Sequence, residues 1–413
     1  MVSWRGSAVA ERLRCGVADA AAVAAGVRAR VPAAEDVSTA VAEIVLAVRQ
    51  GGDEALLAAE RRFGAPGAGG AALRVPDAEL ARALVALDPE VRSGLEVAIA
   101  NVRLVAEAGL DAEAEAALPQ GHTVRLREVP VRRAAVYAPG GRNPYPSSVV
   151  MGAVTARAAG VEEVVVAAPG HPLILAACAL CGADAVYRMG GAQAIAALAY
   201  GTESVQRADV IAGPGNLYVQ EAKRQVSGDV GIDGFAGPSD LTVILSAGAD
   251  PEPLRLDLLA QAEHGTDSLI AAVGDDAALL DALGDAATVE VLADSMDAAL
   301  AFAEALAPEH LQLAGAAAEA LAPRVRSAGC LFVGVESGTA FGDYVAGSNH
   351  TLPTGGAARF ASGLNVRHFR RRMAEVRVGA AAPALARAGV PVARAEGFAR
   401  HADSMRIREN PPS

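Results

Sequence analysis

DAVYRMGGAQAIAALAYG, residues 184–201, places a short apolar strand, a glycine turn and an apolar helix in one run. AVY is too short for a helix, and Gly190 and Gly191 stop it. AQAIAALAYG then reads as a helix ended by a glycine. The same order occurs around it. AAVYAPGG (134–141) precedes VVMGAVTARAAG (149–160), and EEVVVAAPG (162–170) precedes PLILAACALCG (172–182). ADVIAGPGN (208–216) precedes LYVQEAKRQVSG (217–228). Short apolar strands alternating with helices predict a parallel sheet, hence an α/β fold.

Outward from this core, LTVILS (241–246), SLIAAVG (268–274) and CLFVG (330–334) predict strands of a second sheet, separated by helical stretches. The first third reads as helical. VSTAVAEIVLAVRQGG (37–52) begins near a serine and stops at glycines, and residues 76–109 read as two helices broken at Asp88-Pro89. TVRLREVP (123–130) alternates as a strand does. From about Asn365 the chain is Arg/Ala-rich, which predicts a helical extension without strands.

The chain has 413 residues, 52% hydrophobic and 20% charged, enough for two or more domains with large cores. Its net charge of −12 argues against nucleic acid or an anionic membrane surface as the main partner. No apolar run approaches a membrane span. MVSWRGSAVAERLR lacks a long apolar core, so no secretory signal is expected. Only 4 cysteines in so long a chain suggest a reducing compartment, and the cytoplasm is the expectation. Cys178 and Cys181 form a CxxC inside an apolar segment without a second pair, which reads as core rather than as a redox or zinc site.

Several stretches carry chemistry. Three glycine turns, APGG (138–141), MGGAQ (189–193) and AGPGN (212–216), stand at strand ends, where helix N-termini suit a nucleotide's phosphates. Tyr137, Gln193 and Asn216 flank them. Ser239 in AGPSD (236–240) is a turn serine or a hydrogen-bond partner, and no GxSxG elbow surrounds it. APEHLQL (307–313) sets Glu309 beside His310, two groups whose pKa can be tuned to neutrality. In QAEHG (261–265), Gln261 and His264 share a helix face, though a plain helix end explains them equally. FGDYVAGSNHTLPTGG (341–356) is a long polar loop around Asp343 and His350, and ARAEGFARHADS (393–404) carries Glu396 and His401. Gln261, His264, Asp343 and His401 would make an N/O set suited to zinc, but their spacing is no local zinc motif.

Taken in order, VYAPGG, MGGAQAIAALAYGTESV, GPGN, EAKRQVSG, AGPSD, LLAQAEHG, APEHLQL, GDYVAGSNHTLPT and AEGFARHADSMRIR resemble the histidinol dehydrogenase family from about residue 35 to about 408. The resemblance implies a homodimer that oxidises L-histidinol to L-histidine through L-histidinaldehyde, with two NAD+ and one Zn2+ per subunit. It implies metal ligands Gln261, His264, Asp343 and His401, and a catalytic pair Glu309 and His310. Substrate contacts fall on Ser239, Gln261, His264, His310, Asp343, Glu396 and His401, and cofactor contacts on Tyr137, Gln193 and Asn216. The C-terminal segment, with Glu396 and His401, would complete the partner subunit's site.

The implied organisation has a helical N-terminal extension (1–30) and two incomplete Rossmann-like domains. One is on the substrate and metal side (31–136 with 241–364) and one on the NAD side (137–240), followed by a helical C-terminal extension (365–413). One departure is visible: Asp240 stands where the family usually has Glu after the serine. The first 30 or so residues match poorly and receive no role. Three rivals remain: a paralogue oxidising another small alcohol, a zinc hydrolase without NAD, and a silent binding protein. A carboxylate at Glu396 suits a cationic amine substrate.

Overall fold

The structure, a computed structural model, describes residues 11–31, 36–64, 72–140, 143–235, 237–265 and 267–409. Gly141 and Ala236 of the glycine turns, and the first ten residues, lie outside these. The chain divides into two compact units, Met1–Gly109 with Val131–Phe369, and Leu110–Pro130 with Arg370–Ser413.

The first unit opens with β1 (Glu11–Cys15) and α1 (Ala20–Arg28). The expected helical N-terminal extension is corrected in part: its helix begins at Ala20, and Glu11–Cys15 is a strand. ERLRC alternates arginines with Leu13 and Cys15, a period of two, and joins a parallel sheet with Leu13 opposite Val291. Then come α2 (Ser38–Phe63), α3 (Asp77–Val85) and α4 (Pro89–Ala108). The Asp88 side chain caps α4 by accepting from the Glu90 and Val91 N–H groups, which is why the helix breaks there. β2 (Ala114–Ala117) and β3 (Thr123–Pro130) belong to the second unit.

The central repeats form β4 (Arg133–Tyr137), α5 (Pro146–Ala158), β5 (Glu163–Ala168), α6 (Pro172–Leu180) and β6 (Ala185–Arg188). They continue with α7 (Gly191–Tyr200), β7 (Val210–Ala212), α8 (Leu217–Val226) and β8 (Gly231–Ile232). The strands run parallel in the order β6-β5-β4-β7-β8. The sheet therefore changes its direction of growth between β4 and β7, the switch point where open parallel sheets bind ligands.

Helix α7 buries every residue from Ala192 to Ala199. A helix apolar all round needs an outer layer. That layer is α2 against α7 and α8, α3 against α6, and α4 against α5. Helices α2, α3 and α4 thus cover the five-stranded sheet, which corrects their allocation, within 31–136, to the other domain. Cys178 is fully buried and Cys181 half-buried, both as free thiols. Burial pushes both thiol pKa values up, that of Cys181 to about 12, so neither supplies a thiolate at neutral pH.

The second sheet is built from β9 (Asp240–Leu245), α9 (Pro251–Ala262), β10 (Leu269–Gly274), α10 (Ala277–Asp281) and β11 (Val289–Ala293). It is completed by α11 (Met296–Leu306), β12 (His310–Ala314), α12 (Ala316–Glu319), β13 (Cys330–Val333) and α13 (Thr339–Tyr344). Its strands are parallel in the order β1-β11-β10-β9-β12-β13.

In the second unit, β14 (Arg370–Arg377) precedes α14 (Ala382–Ala395) and α15 (Ala399–Arg406). β14 corrects the expectation of a strandless extension. It pairs antiparallel with β3 from Arg370 opposite Pro130 to Arg377 opposite Thr123, and β3 also pairs with β2. RRRMAEVR is mostly exposed and lacks apolar alternation, so its pattern gives no strand signal. The backbone ladder and cross-strand charges hold it: Arg372 lies opposite Glu128 and ion-pairs with it.

Candidate active site

Ser239 and Asp240 lead into β9, and Glu309 and His310 lead into the neighbouring β12, where His310 lies opposite Leu241. Gln261 sits in the last turn of α9, with His264 just beyond it, and Asp343 sits on α13. Helices that follow parallel strands return to the strands' amino edge. The site is therefore at the amino ends of β9 and β12, opposite to the edge that usually binds ligands.

One hydroxyl joins its halves. Gln261 Nε2 donates to Ser239 Oγ at 2.7 Å, and Ser239 Oγ donates to Glu309 Oε2 at 2.5 Å. The same carboxylate oxygen accepts from Asp240 N at 3.0 Å, and Glu309 N donates to Asp240 Oδ1 at 2.7 Å. His310 Nδ1 lies 3.2 Å from the Asp240 carbonyl oxygen. A carbonyl only accepts, so Nδ1 carries the proton, and Nε2 of the neutral ring is the basic nitrogen. Nε2 faces Asp343 Oδ1 at 3.7 Å. His350 hangs its Nδ1 on the Asp343 carbonyl oxygen at 3.0 Å and places Nε2 3.3 Å from Ser148 Oγ on α5. The polar loop thereby ties this site to the helix that follows the first glycine turn.

Glu309 and His310 are 6% and 3% exposed. Burial raises the Glu309 carboxyl to about 7, against the opposing pull of His310 and the Ser239 and Asp240 hydrogen bonds. Burial alone would lower His310, but the nearby Asp343 and Glu309 carboxylates outweigh it and raise the imidazole to about 9. Burial would likewise raise Asp343, yet His310, and at longer range His350 and His264, hold it below its ordinary value.

Two features behind the pair escaped the sequence reading. Among the described residues, Ala307 is the non-glycine with positive φ, at 48°, and it ends α11 just before Pro308 and Glu309. Arg28, at the end of α1, donates from Nη1 to Asp240 Oδ2 and from Nη2 to the Leu306 carbonyl oxygen, both at 2.7 Å. Arg28, in the stretch given no role by its sequence, thus reaches the backbone that supports Glu309 and His310. Contacts spanning 212 and 278 positions leave no local mark.

The cofactor candidates cluster at the carboxyl ends of β4, β6 and β7. Tyr137 Oη accepts from Gly191 N at 3.1 Å, Gln193 is buried in the first turn of α7, and Asn216 caps α8 by accepting from Val219 N. Gly213 has φ 128°, and a Cβ there would lie 2.1 Å from the Tyr137 carbonyl oxygen, so the GPGN turn requires glycine. Lys223 Nζ donates to the Gly213 carbonyl oxygen at 3.0 Å and pairs with Asp233, which accepts from Gly213 N. The MGGAQ turn holds a buried carboxylate: Glu60 Oε1 accepts from Gly190 N and Gln193 Nε2, both at 2.9 Å. Glu60 had a sequence signal, a carboxylate on the apolar stripe of Val41, Val45 and Leu56.

Glu396 and His401 lie exposed in the second unit. There they help line an apolar groove of about 540 Å³ with Leu385, Val392, Phe398 and Met405.

In the first unit, Gln261 commits its amide nitrogen to Ser239, so its carbonyl oxygen is the atom that could serve as a ligand. With the ionised Asp343 and the His264 imidazole this is an N/O donor set that fits zinc. Among the described residues no group of three or more His, Cys, Asp and Glu forms a metal-holding cluster. The Gln261, His264 and Asp343 set has only two such groups, its third donor being an amide.

A family model described as histidinol dehydrogenase matches residues 28–409. A histidinol dehydrogenase of Rhodospirillum rubrum is 40% identical over 97% of this chain and 98% of its own. One from Natronomonas pharaonis is 42% identical over 90% of this chain and 93% of its own. The crystal structure of histidinol dehydrogenase from Elizabethkingia anophelis superposes with a TM-score of 0.89 at 29% identity, over 97% of this chain and 98% of that one.

Proposed function

The chain belongs to the histidinol dehydrogenase family, NAD-dependent oxidoreductases, and from that premise we propose that it oxidises L-histidinol through L-histidinaldehyde to L-histidine, with two NAD+ and one Zn2+ per subunit. The observation that carries this reading is the Ser239 hydroxyl, which links an expected metal ligand, Gln261, to a buried base, Glu309.

When bound, zinc supplies a cationic anchor for the substrate's nitrogens and NAD+ accepts the hydride. The chain does the proton work. With Asp343 committed to the metal, the largest pull that raises His310 is lost, and the neutral ring's Nε2 takes the alcohol proton as the hydride leaves, passes it to solvent, and takes a second one in the second oxidation. Glu309, poised near neutrality, removes a proton from the water that adds to the aldehyde. Ser239 and the Asp240 N–H fix which Glu309 oxygen is engaged and leave the other for that water. Gln261 Oε1, His264 and Asp343 hold the metal. A neutral amide ligand leaves it more net positive charge than a carboxylate would.

Tyr137, Gln193 and Asn216 take the cofactor at the switch point of the five-stranded sheet, and the His350–Ser148 contact supports bringing the two sites together. The fourth metal ligand, His401, and Glu396, which suits the substrate's ammonium, come from the partner of a homodimer. Their exposure beside an apolar groove supports this. The cytoplasm is the proposed location; no helix of the described residues is long and apolar enough to cross a membrane.

The test is NADH formation from L-histidinol by protein stripped of metal and then given zinc. Metal-dependent release of about two NADH per histidinol is expected for a four-electron oxidation. NADH from other alcohols alone would move the substrate to the paralogue reading. No NADH despite bound zinc would overturn the dehydrogenase reading.

A further inference from the structure

We propose that Arg28 is a positioning residue for the Glu309–His310 pair, acting through the strained turn at Leu306–Ala307. The inference rests on the reading of that pair given above. Three observations converge. The turn that delivers Glu309 has an alanine in the left-handed region, at φ 48°, where an L side chain is strained. Such a conformation persists only when its surroundings hold it. Helix α11 ends there, and one of its last carbonyls, Leu306 O, is taken by Arg28 Nη2.

The other arm of the guanidinium pairs with Asp240, which is 1% exposed. Asp240 meets the catalytic pair three ways: its carboxylate accepts from Glu309 N, its N–H donates to Glu309 Oε2, and its carbonyl accepts from His310 Nδ1. One planar fork from α1 therefore fixes both strand entries that carry the site: the end of α11 before β12, and the first residue of β9. It touches neither reacting group.

The arrangement also gives a physical account of Asp240. Its short side chain spans from Arg28 to the Glu309 backbone with one oxygen each. A guanidinium offers separate nitrogens to the carboxylate and to the carbonyl, whereas an ammonium is a single centre.

Arg28→Lys separates the two arms, since lysine keeps the charge opposite Asp240 and gives up the Leu306 bond. Hydrogen exchange and steady-state kinetics are measured on the zinc-loaded, full-length protein. The expected result is faster amide exchange confined to residues 306–310. With it, kcat falls by about 10- to 100-fold while KM for histidinol and for NAD+ stays within about threefold, the size of effect that a misplaced group produces. Arg28→Met, which also leaves Asp240 unpaired, moves both quantities further in the same direction; should it fail to fold, Arg28→Lys decides alone.

Unchanged exchange at 306–310 in Arg28→Lys overturns the proposal, whatever the kinetics. So does a kcat loss that comes with uniformly faster exchange, which marks a merely structural arginine. Should the wild-type protein form no NADH from histidinol, the reaction assigned above fails, and the local exchange alone decides whether Arg28 holds the turn.

Discussion

At the scale of single residues, the proposed acid–base pair lies open in the sequence while its support does not. APEHLQL shows a glutamate beside a histidine, and the structure finds both buried with pKa values near 7 and 9. Glu309→Gln should spare aldehyde formation and slow acid formation by roughly 10²–10⁴-fold, as loss of one general base does. Single-turnover assays started from histidinol and from histidinaldehyde check this, and equal losses in both would contradict the water-activating role. The same pKa values have a stability consequence in metal-free protein. His310 is raised, so its contribution is complete below its unfolded value near 6.5 and is lost as pH rises through about 9. Glu309 is raised too, so its contribution is complete below about 4.5 and is lost as pH rises through about 7. His350 and His368, lowered by burial, pull the other way below about pH 6.5, so urea midpoints in EDTA should fall from about pH 7 to pH 9, and Glu309→Gln should make the curve below pH 7 fall less or rise more. A midpoint that rises from about pH 7 to pH 9 would contradict the assigned pKa values. Arg28 was illegible for a physical reason: its partners lie 212 and 278 positions away, and a lone arginine at a helix end looks like any other.

At the scale of elements, legibility followed hydrophobic pattern. The βα units from Tyr137 to Val226 each carry their own apolar strand, glycine turn and apolar helix, so each is readable alone. β1 and β14 are rich in arginine and sit at sheet edges, where one neighbouring strand supplies all the pairing, so their apolar signal is weak. The outer placement of α2–α4 was also unreadable, because an amphipathic stripe says that a helix is covered and not by what. The glycine turns differ in kind from these elements, since their backbone leaves no alternative residue. Gly213→Ala would drive a methyl into the Tyr137 carbonyl. It should cost about 2–4 kcal/mol in a denaturant titration and raise KM for NAD+ more than KM for histidinol. A variant with wild-type stability and KM would show that the GPGN turn yields.

At the scale of the whole molecule, the proposed division of labour between subunits has a direct test. Glu309→Gln damages the body of a site, and His401→Ala damages the tail that completes one. If tails are exchanged, an equal mixture refolded together regains about a quarter of wild-type activity, because half the dimers are hybrid and each hybrid holds one intact site. If each tail served its own chain, the mixture would stay inactive. The location of the proposed catalytic pair at the amino ends of β9 and β12 has a different kind of consequence. In most parallel α/β proteins the loops that tolerate insertion are also the loops that do the chemistry. Here the carboxyl-edge loops of the six-stranded sheet are free of that duty, and Asp275 and Asp276, exposed between β10 and α10, form one of them. A peptide tag spliced between these two residues leaves Asp276 to cap α10 and should be silent in turnover. The fold thus offers engineers an address for labels, and evolution a surface for new attachments, on an edge where neither disturbs catalysis.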